Sequence, residues 1–188
     1  LTFLILYAST AAGQPQYTIV NLGTLASGNL PHFSHGENLI YSIGADNNNA
    51  GQVVGGSRLL YVDNGGHTID GGDRIFRTAP NSPINPATDY LGGLFADADL
   101  DAADNTWPFF SEAYAINDFG EVTGSSRAAN GEEHAIRTAA NSAINPATDD
   151  LGTLGGGVAC GLGINNAGQV VGLSSKEGGP EDDPAGFI

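Results

Sequence analysis

Several residue types are rare in this chain of 188 residues, and long apolar runs are missing. There is no methionine, one cysteine (Cys160), one lysine (Lys176) and one tryptophan (Trp107). A single cysteine cannot form a disulfide within the chain, and its apolar, glycine-rich surroundings favour a small buried residue over a reactive thiol. No apolar run is long enough for a transmembrane helix, so we expect no membrane span.

Basic residues are also scarce. Six lysines and arginines face 21 aspartates and glutamates, which gives a net charge of −15. A phosphate backbone or an anionic membrane surface requires the opposite sign, so nucleic acid is not an expected partner. Cations are electrostatically favoured, although surface acid of this kind also serves solubility alone.

Turn-forming residues are abundant. Glycine accounts for 28 residues, and asparagine and aspartate are frequent along the whole chain. Such a composition is poor in helix formers and favours short strands joined by tight turns. The fold class predicted from composition is therefore all-β.

The chain repeats itself. Residues 76–94 read FRTAPNSPINPATDYLGGL and residues 136–154 read IRTAANSAINPATDDLGTL. A second shared element surrounds a turn glycine and occurs at 46–55, 117–124 and 165–172. A third is a Leu-Gly pair, which occurs at 22–23, 91–92 and 151–152. Self-similarity of this kind indicates stacked structural units, because one small sheet cannot bury its apolar face alone.

Each unit is predicted to contain four antiparallel strands. In the second unit a hairpin turns at Asn117 to Gly120, a third strand covers 133–138, and a fourth covers 149–154 after a Pro-containing turn. Arg77 and Arg137 recur at equivalent positions, so we expect them to anchor turns through backbone carbonyls. The predicted units are approximately 17–90, 91–150 and 151–188, forming one repeat domain over 17–188.

Three motifs carry a resemblance to a known family. GINNAGQVVG at 163–172, EEHAIRT at 132–138 and DLGTLGG at 150–156 resemble the HAF-type extracellular repeats of bacteria. The His-Ala-Phe of that family corresponds to His134-Ala135-Ile136 and, more loosely, to Arg74-Ile75-Phe76. The resemblance covers residues 17–188 and implies export and a β-propeller-like fold without established catalysis. Asn47 departs from it, since isoleucine occupies the equivalent positions 116 and 164.

The two ends of the chain carry complementary strand chemistry. Residues 17–25 match a fourth strand without the three strands before it, and residues 185–188 match a third strand. We therefore assign an assembly strand to Tyr17, Ile19, Leu22, Phe187 and Ile188. The ring either closes within one molecule, or a neighbouring copy supplies the missing strand, or the chain is a piece of a longer array.

Residues 1–16 are assigned separately from the repeat domain. They combine an apolar run with small residues and a polar stretch, which is typical of the end of a signal peptide. The alternative is an N-terminal donor strand over 2–7, which is rich in β-formers. Both interpretations predict a secreted or cell-surface protein.

The candidate ligand sites lie in two insertions, one in each of the first two units. Asp97, Asp99, Asp101 and Asp104 place four carboxylates within eight residues, which suits Ca²⁺, although a solvated loop is the alternative. Trp107, Phe109 and Phe110 could form a platform for a sugar or protein, or pack against the sheet. His32 and His35 are weaker zinc candidates, because no second ligand pair follows at a suitable spacing.

No catalytic residues are assigned. The chain lacks the nucleophile, phosphate-loop and dinucleotide signatures of common enzymes. The function predicted from sequence is an extracellular structural repeat protein that assembles with itself into filaments or surface layers, or binds cell-surface or matrix components. A monomeric glycan- or protein-binding module is the alternative, and a glycosidase is the third hypothesis.

Overall fold

The structure is a computed structural model that describes residues 3–5, 18–26, 41–62, 68–95, 110–178 and 185–188. All regular structure in these residues is β-strand, which confirms the all-β prediction. The strands are β1 (Phe3–Ile5), β2 (Thr18–Val20), β3 (Ser42–Asn47), β4 (Val53–Val62), β5 (Thr68–Arg77), β6 (Ser111–Ile116), β7 (Val122–Arg127), β8 (Glu133–Arg137), β9 (Asp150–Gly152), β10 (Gly155–Ile164), β11 (Val170–Lys176) and β12 (Ala185–Phe187).

The second unit contains the four strands expected from its sequence. β6, β7, β8 and β9 pair in order, and every pairing is antiparallel. A bulge between Ala113 and Ala115 interrupts the β6–β7 register. Such a bulge bends the strand and increases its twist.

The first unit has the same order but a longer hairpin. β4 and β5 have ten residues each, whereas their counterparts β7 and β8 have six and five. Between the turn glycine and the Arg-Thr-Ala motif, the first unit has nine residues more than the second (51 to 76 against 120 to 136), and part of this extra length is paired backbone in β4 and β5. Phe76 forms a single antiparallel bridge to Tyr90, which is equivalent to the pairing of Ile136 with Asp150 of β9 in the second unit. Asn47 is exposed and pairs with Val53, so the hairpin forms without the isoleucine found in the other units.

Neighbouring units are joined by short parallel contacts. β10 of the third unit pairs with β8 through Val158 and Glu133, which makes one sheet of β6 to β12. The equivalent link between the first and second units is a single parallel bridge from Asp73 to Phe110. β12 lies at the outer edge of the larger sheet, paired to β11.

The apolar core also connects units. One cluster places Val54 and Ile75 of the first unit with Leu91, Val122 and Ile136 of the second. A smaller cluster in the first unit includes Leu22, Leu25, Val53, Phe76 and Ile84. The apolar side chains of a unit are thus buried partly by its neighbour, as expected for repeats that share a core.

The repeated Ile-Asn-Pro-Ala-Thr-Asp segment covers the Leu-Gly pair. The amide of Ile84 donates to the carbonyl of Leu22 at 2.6 Å, and the amide of Ile144 donates to that of Leu91 at 2.8 Å. Leu22, which the sequence assigns to an assembly strand, therefore lies buried in the core of its own chain. Upstream of it, β2 pairs with β1 in a separate two-stranded sheet.

In the part of the chain that the structure describes, no helix has the length and hydrophobicity needed to cross a bilayer.

Candidate functional site

Three hairpin turns have the same local chemistry. Each begins with an asparagine whose Oδ1 accepts the backbone N–H groups two and four residues later; these turns are 48–51, 117–120 and 165–168. Each ends with a glycine at a φ of 78°, 75° or 74°, a conformation that other residues rarely adopt. The Asn-x-x-Gly spacing thus encodes an Asx turn closed by a left-handed glycine.

The first asparagines of these turns connect the three units. Asn48 Nδ2 donates to the carbonyl of Asn117 at 3.0 Å, and Asn117 Nδ2 donates to the carbonyl of Asn165 at 3.0 Å. We call Asn48, Asn117 and Asn165 the asparagine ladder. Its direction is fixed, because each unit donates to the next one along the chain.

The second residues of the turns form a parallel row. The amide and Nδ2 of Asn49 donate to the two carboxylate oxygens of Asp118, at 3.1 and 3.0 Å. The amide of Asp118 donates to Asn166 Oδ1 at 3.0 Å, and Asn166 Nδ2 donates back to Asp118 at 3.0 Å. We call Asn49, Asp118 and Asn166 the second row. The hydrogen bonds from Asn166 and then Asn49 lower the pKa of Asp118 below its ordinary value of 3.8.

The repeated arginines reach the turn of the following unit. Arg77 Nη1 donates to the carbonyls of Gly120 and Ser142, each at 3.1 Å, which confirms the predicted anchoring role for this residue. Arg137 lies against Gly168 but forms an ion pair with Glu121 at 2.7 Å. Burial acts to raise the pKa of Glu121, yet the hydrogen bonds from Arg137 and Asn117 lower it overall.

Acid is expected to weaken this stack of turns. The pKa values of Asp118 and Glu121 are lowered in the folded protein, so their stabilising effect is present above the ordinary values of 3.8 and 4.5. It is lost as the pH falls through the lowered folded values. In urea unfolding between pH 6 and pH 3, the stability difference between the protein and its Glu121→Gln variant should shrink with falling pH. Glu177→Gln, which changes an exposed acid outside the three Asx turns, is the control variant. An unchanged difference for Glu121→Gln would contradict the assignment.

The asparagine ladder is open at both ends in the described residues. Asn48 and Asn117 are buried, whereas Asn165 is exposed and its Nδ2 contacts Gln169 within its own turn. At the other end, the carbonyl of Asn48 accepts the amide of Gly51 in its own turn. A donor is thus open at the third unit, and an acceptor with a second lone pair is open at the first.

Apolar side chains are exposed on the third unit at positions buried elsewhere. Leu151, Leu154 and Val171 are 46%, 49% and 47% exposed. Their counterparts in the other two units are between 0% and 7% exposed. These counterparts are Leu22 and Leu91 for Leu151, Leu25 and Leu94 for Leu154, and Val54 and Thr123 for Val171. The Leu22 and Leu91 counterparts are covered by segments of their own units, whereas Val54 and Thr123 pack against the following unit. Val171 is therefore the residue that marks the surface a following unit would meet.

The first unit presents the opposite surface. Ile43 is 48% exposed, whereas its counterparts Glu112 and Cys160 lie against the preceding unit. Glu112 lies beside Gly56, and Cys160 Sγ lies 3.7 Å from Glu133 Oε1. Ile43 therefore occupies a position that meets a preceding unit in both other copies of the repeat.

Cys160 is half-buried at the contact between the second and third units. Burial and the nearby charge of Glu133 raise the pKa of its thiol to about 11. The thiol is thus protonated near neutral pH, the opposite of an activated nucleophile. Its geometry indicates packing between units.

Several residues assigned from the sequence lie outside the described residues. These are Tyr17, His32, His35, Asp97, Asp99, Asp101, Asp104, Trp107 and Phe109. Ile19 is exposed, Phe187 is half-buried in β12, and Ile188 is exposed. Phe110 is half-buried and lines a small cavity with Tyr90 and Phe95. Among the residues with described positions, no three His, Cys, Asp or Glu side chains are grouped to hold a metal.

Sequence reasoning missed the asparagine ladder and the second row. The signal was present, because Asn48, Asn117 and Asn165 recur three residues before each turn glycine. The local role of these asparagines as turn formers was sufficient to explain them. Their contacts between units depend on the stacking of turns that lie 69 and 48 residues apart in the chain.

Comparison of the chain with protein-family models, with curated proteins and with solved structures finds no match. The similarity to HAF-type repeats remains a prediction from sequence motifs. The contacts between the units and the surfaces that remain open are the basis for the functional proposal.

Proposed function

We propose that this protein is an exported structural repeat protein that associates with further copies of itself outside the cell. The exposure of Val171 carries the proposal, because its counterparts Val54 and Thr123 are buried against the unit that follows them. Scattered exposed apolar residues are normal, but a repeat position whose counterparts are buried by a following unit marks an interface. A second copy supplies that unit.

The energetics favour covering this surface. Burying a valine or leucine side chain completely stabilises a protein by roughly 1.5–3 kcal/mol. Val171 is 47% exposed, so a partner that covers it gains about 1 kcal/mol from this side chain. Backbone pairing at the edge of β12, which has no further partner among the described strands, would add to this gain, since an unpaired strand edge is a template for strand addition.

The finer architecture belongs to the same proposal. We infer that the units are β-propeller-like blades of four strands, with β6 to β9 as the complete example. In the third unit β10, β11 and β12 supply three strands, and the fourth comes from a neighbouring copy. Such assembly produces filaments or layers when successive contacts do not close into a ring. The proposal also includes Ca²⁺, bound by Asp97, Asp99, Asp101 and Asp104, as a cation that would stiffen the assembly.

Self-association is tested by light scattering coupled to size-exclusion chromatography over a range of concentrations. The protein should form larger species as its concentration rises, and Val171→Asp should weaken association at least about tenfold by placing a charge in the contact. Leu162→Asp is the matched control, because Leu162 is 48% exposed but its counterparts Ala45 and Tyr114 are not buried. A protein that stays monomeric up to about 1 mM would refute self-association.

A further inference from the structure

The contacts between successive units specify how a second copy would bind. We propose that the first unit of one copy docks on the third unit of another in the register that joins the second unit to the first. This inference rests on the proposed self-association and adds to it the two surfaces, their polarity and the paired residues. The two open surfaces differ, so the contact is head-to-tail.

The apolar pairing is the strongest support. Between the first and second units Gly56 faces Glu112, and between the second and third units Ser125 faces Cys160. Leu173 is the counterpart of Gly56 and Ser125, and Ile43 is the counterpart of Glu112 and Cys160. The same contact between two copies therefore brings Leu173 of one copy against Ile43 of the next. Both residues are apolar only on the open surfaces, while the corresponding internal pairs include polar or small residues. This complementarity indicates that the occupant is a second copy of this chain.

The space around Val171 supports the same register. A β-carbon at Gly161 would overlap the hydroxyl of Thr123, which shows that the two residues meet between the second and third units. Val171 is the counterpart of Thr123, and Gly44 is the counterpart of Gly161. Val171 of one copy would thus lie over Gly44 of the next, beside the side chains of Val53 and Leu22, which lie 3.3 and 3.5 Å from a β-carbon built at Gly44.

The asparagine ladder continues across this contact without a change in chemistry. Asn165 Nδ2 would donate to the carbonyl of Asn48 in the next copy, as Asn117 Nδ2 donates to the carbonyl of Asn165. In the second row, the amide of Asn166 would donate to Asn49 Oδ1, as the amide of Asp118 donates to Asn166 Oδ1. Each open donor thus finds an acceptor, and neither row has to reverse its direction.

The backbone also fits the register. The amide of Leu91 donates to the carbonyl of Ile75 at 3.1 Å, while the Leu91 side chain lies buried in the core shared by the first and second units. Leu22 and Gly186 are the counterparts of these two residues. The amide of Leu22 could therefore donate to the carbonyl of Gly186 in the preceding copy while the Leu22 side chain stays buried in its own chain. Phe187 and Asn21 would pair as Phe76 and Tyr90 do.

One position departs from the internal pattern. Ile188 occurs where Arg77 and Arg137 occur, so the contact between copies lacks the arginine that reaches the following turn. Arg77 contributes hydrogen bonds to two carbonyls in the internal contact. We therefore expect association between copies to be weaker than the cohesion of units within the chain.

Two variants that block opposite surfaces test the polarity. Val171→Asp blocks the third-unit surface, and Ile43→Asp blocks the first-unit surface by opposing Leu173 with a charge. In analytical ultracentrifugation of the full chain, each variant alone should be monomeric, and an equimolar mixture should form a two-chain species and nothing larger. If Ile43→Asp associates as well as the unchanged protein, or if the mixture stays monomeric, the head-to-tail inference is overturned.

The register has its own test in Asn165→Asp. This change keeps the Oδ1 acceptor that closes the turn but removes the donor that would bind the next copy. The dissociation constant of the assembly should rise about tenfold, whereas the urea midpoint should stay near that of the unchanged protein. An unchanged dissociation constant would overturn the proposed ladder contact. A monomeric unchanged protein would refute self-association itself, which keeps the two failures distinguishable.

Discussion

Replacing Gly124 by alanine should destabilise the protein severely. A β-carbon at this position would overlap the backbone carbonyl oxygen of Glu112 on the paired strand. The same overlap occurs at Gly55 with Ile43 and at Gly172 with Cys160, so each hairpin repeats the close approach. A backbone atom cannot rotate away as a side chain can, and the β6–β7 pairing would have to open.

We expect Gly124→Ala to lose more than about 4 kcal/mol of unfolding free energy, a large share of the roughly 5–15 kcal/mol typical of folded domains. Urea unfolding followed by circular dichroism measures this loss. Gly56→Ala is the matched control, because its β-carbon would lie 3.6 Å from the nearest atom, an ordinary contact with the Glu112 side chain. The control should change stability by less than about 1 kcal/mol. Equal urea midpoints for the two variants would show that the hairpin tolerates the clash.

The second large effect is expected for Asn117→Ala. Asn117 is buried, and its Oδ1 accepts the amides of Phe119 and Glu121, both at 3.0 Å. Its Nδ2 donates to Glu121 within the turn and to the carbonyl of Asn165. Alanine removes all four hydrogen bonds and leaves turn amides unsatisfied, at a cost of about 1–3 kcal/mol for each buried group. We expect a total loss of about 3 kcal/mol.

Asn165→Ala supplies the comparison for this change. Asn165 closes its turn through the same acceptor contacts, yet it is exposed, so water can satisfy the amides that the change releases. We expect Asn165→Ala to cost about 1 kcal/mol in urea unfolding of the monomer. Equal losses for the two variants would mean that the turn alone, and not its place in the ladder, determines the stability contributed by Asn117.

The local features of the fold could be predicted from the sequence because they depend on neighbouring residues. Asn117 and Gly120 specify a tight turn wherever they occur, and the strands on either side follow from alternating side chains. The predicted order of β6 to β9 is confirmed for that reason. The lengthened pairing of β4 and β5 was less accessible, because the residues between 59 and 71 contain the same Gly and Asp that usually mark loops.

The candidate surfaces were only partly accessible from the sequence. Ile19 and Ile188 could be assigned to the two ends of the chain, and both are exposed. Val170 and Val171 are adjacent and chemically identical, yet one is buried and the other is exposed. Strand alternation places them on opposite faces, but only the packing of units shows which face has a neighbour.

The matching segments at 76–94 and 136–154 make equivalent hydrogen bonds, which bears on how the protein could gain units. Asn81 and Asn141 meet turns through backbone bonds, and Asp89 and Asp149 close their loops with the same 2.8 Å hydrogen bond. A duplicated unit brings both halves of every such contact with it, so gene duplication can lengthen the protein without inventing a new interface. Later mutations then accumulate most easily where a unit touches nothing repeated. The Asn81 and Asn141 contacts are alike in the two copies, whereas the sequences of the insertions differ.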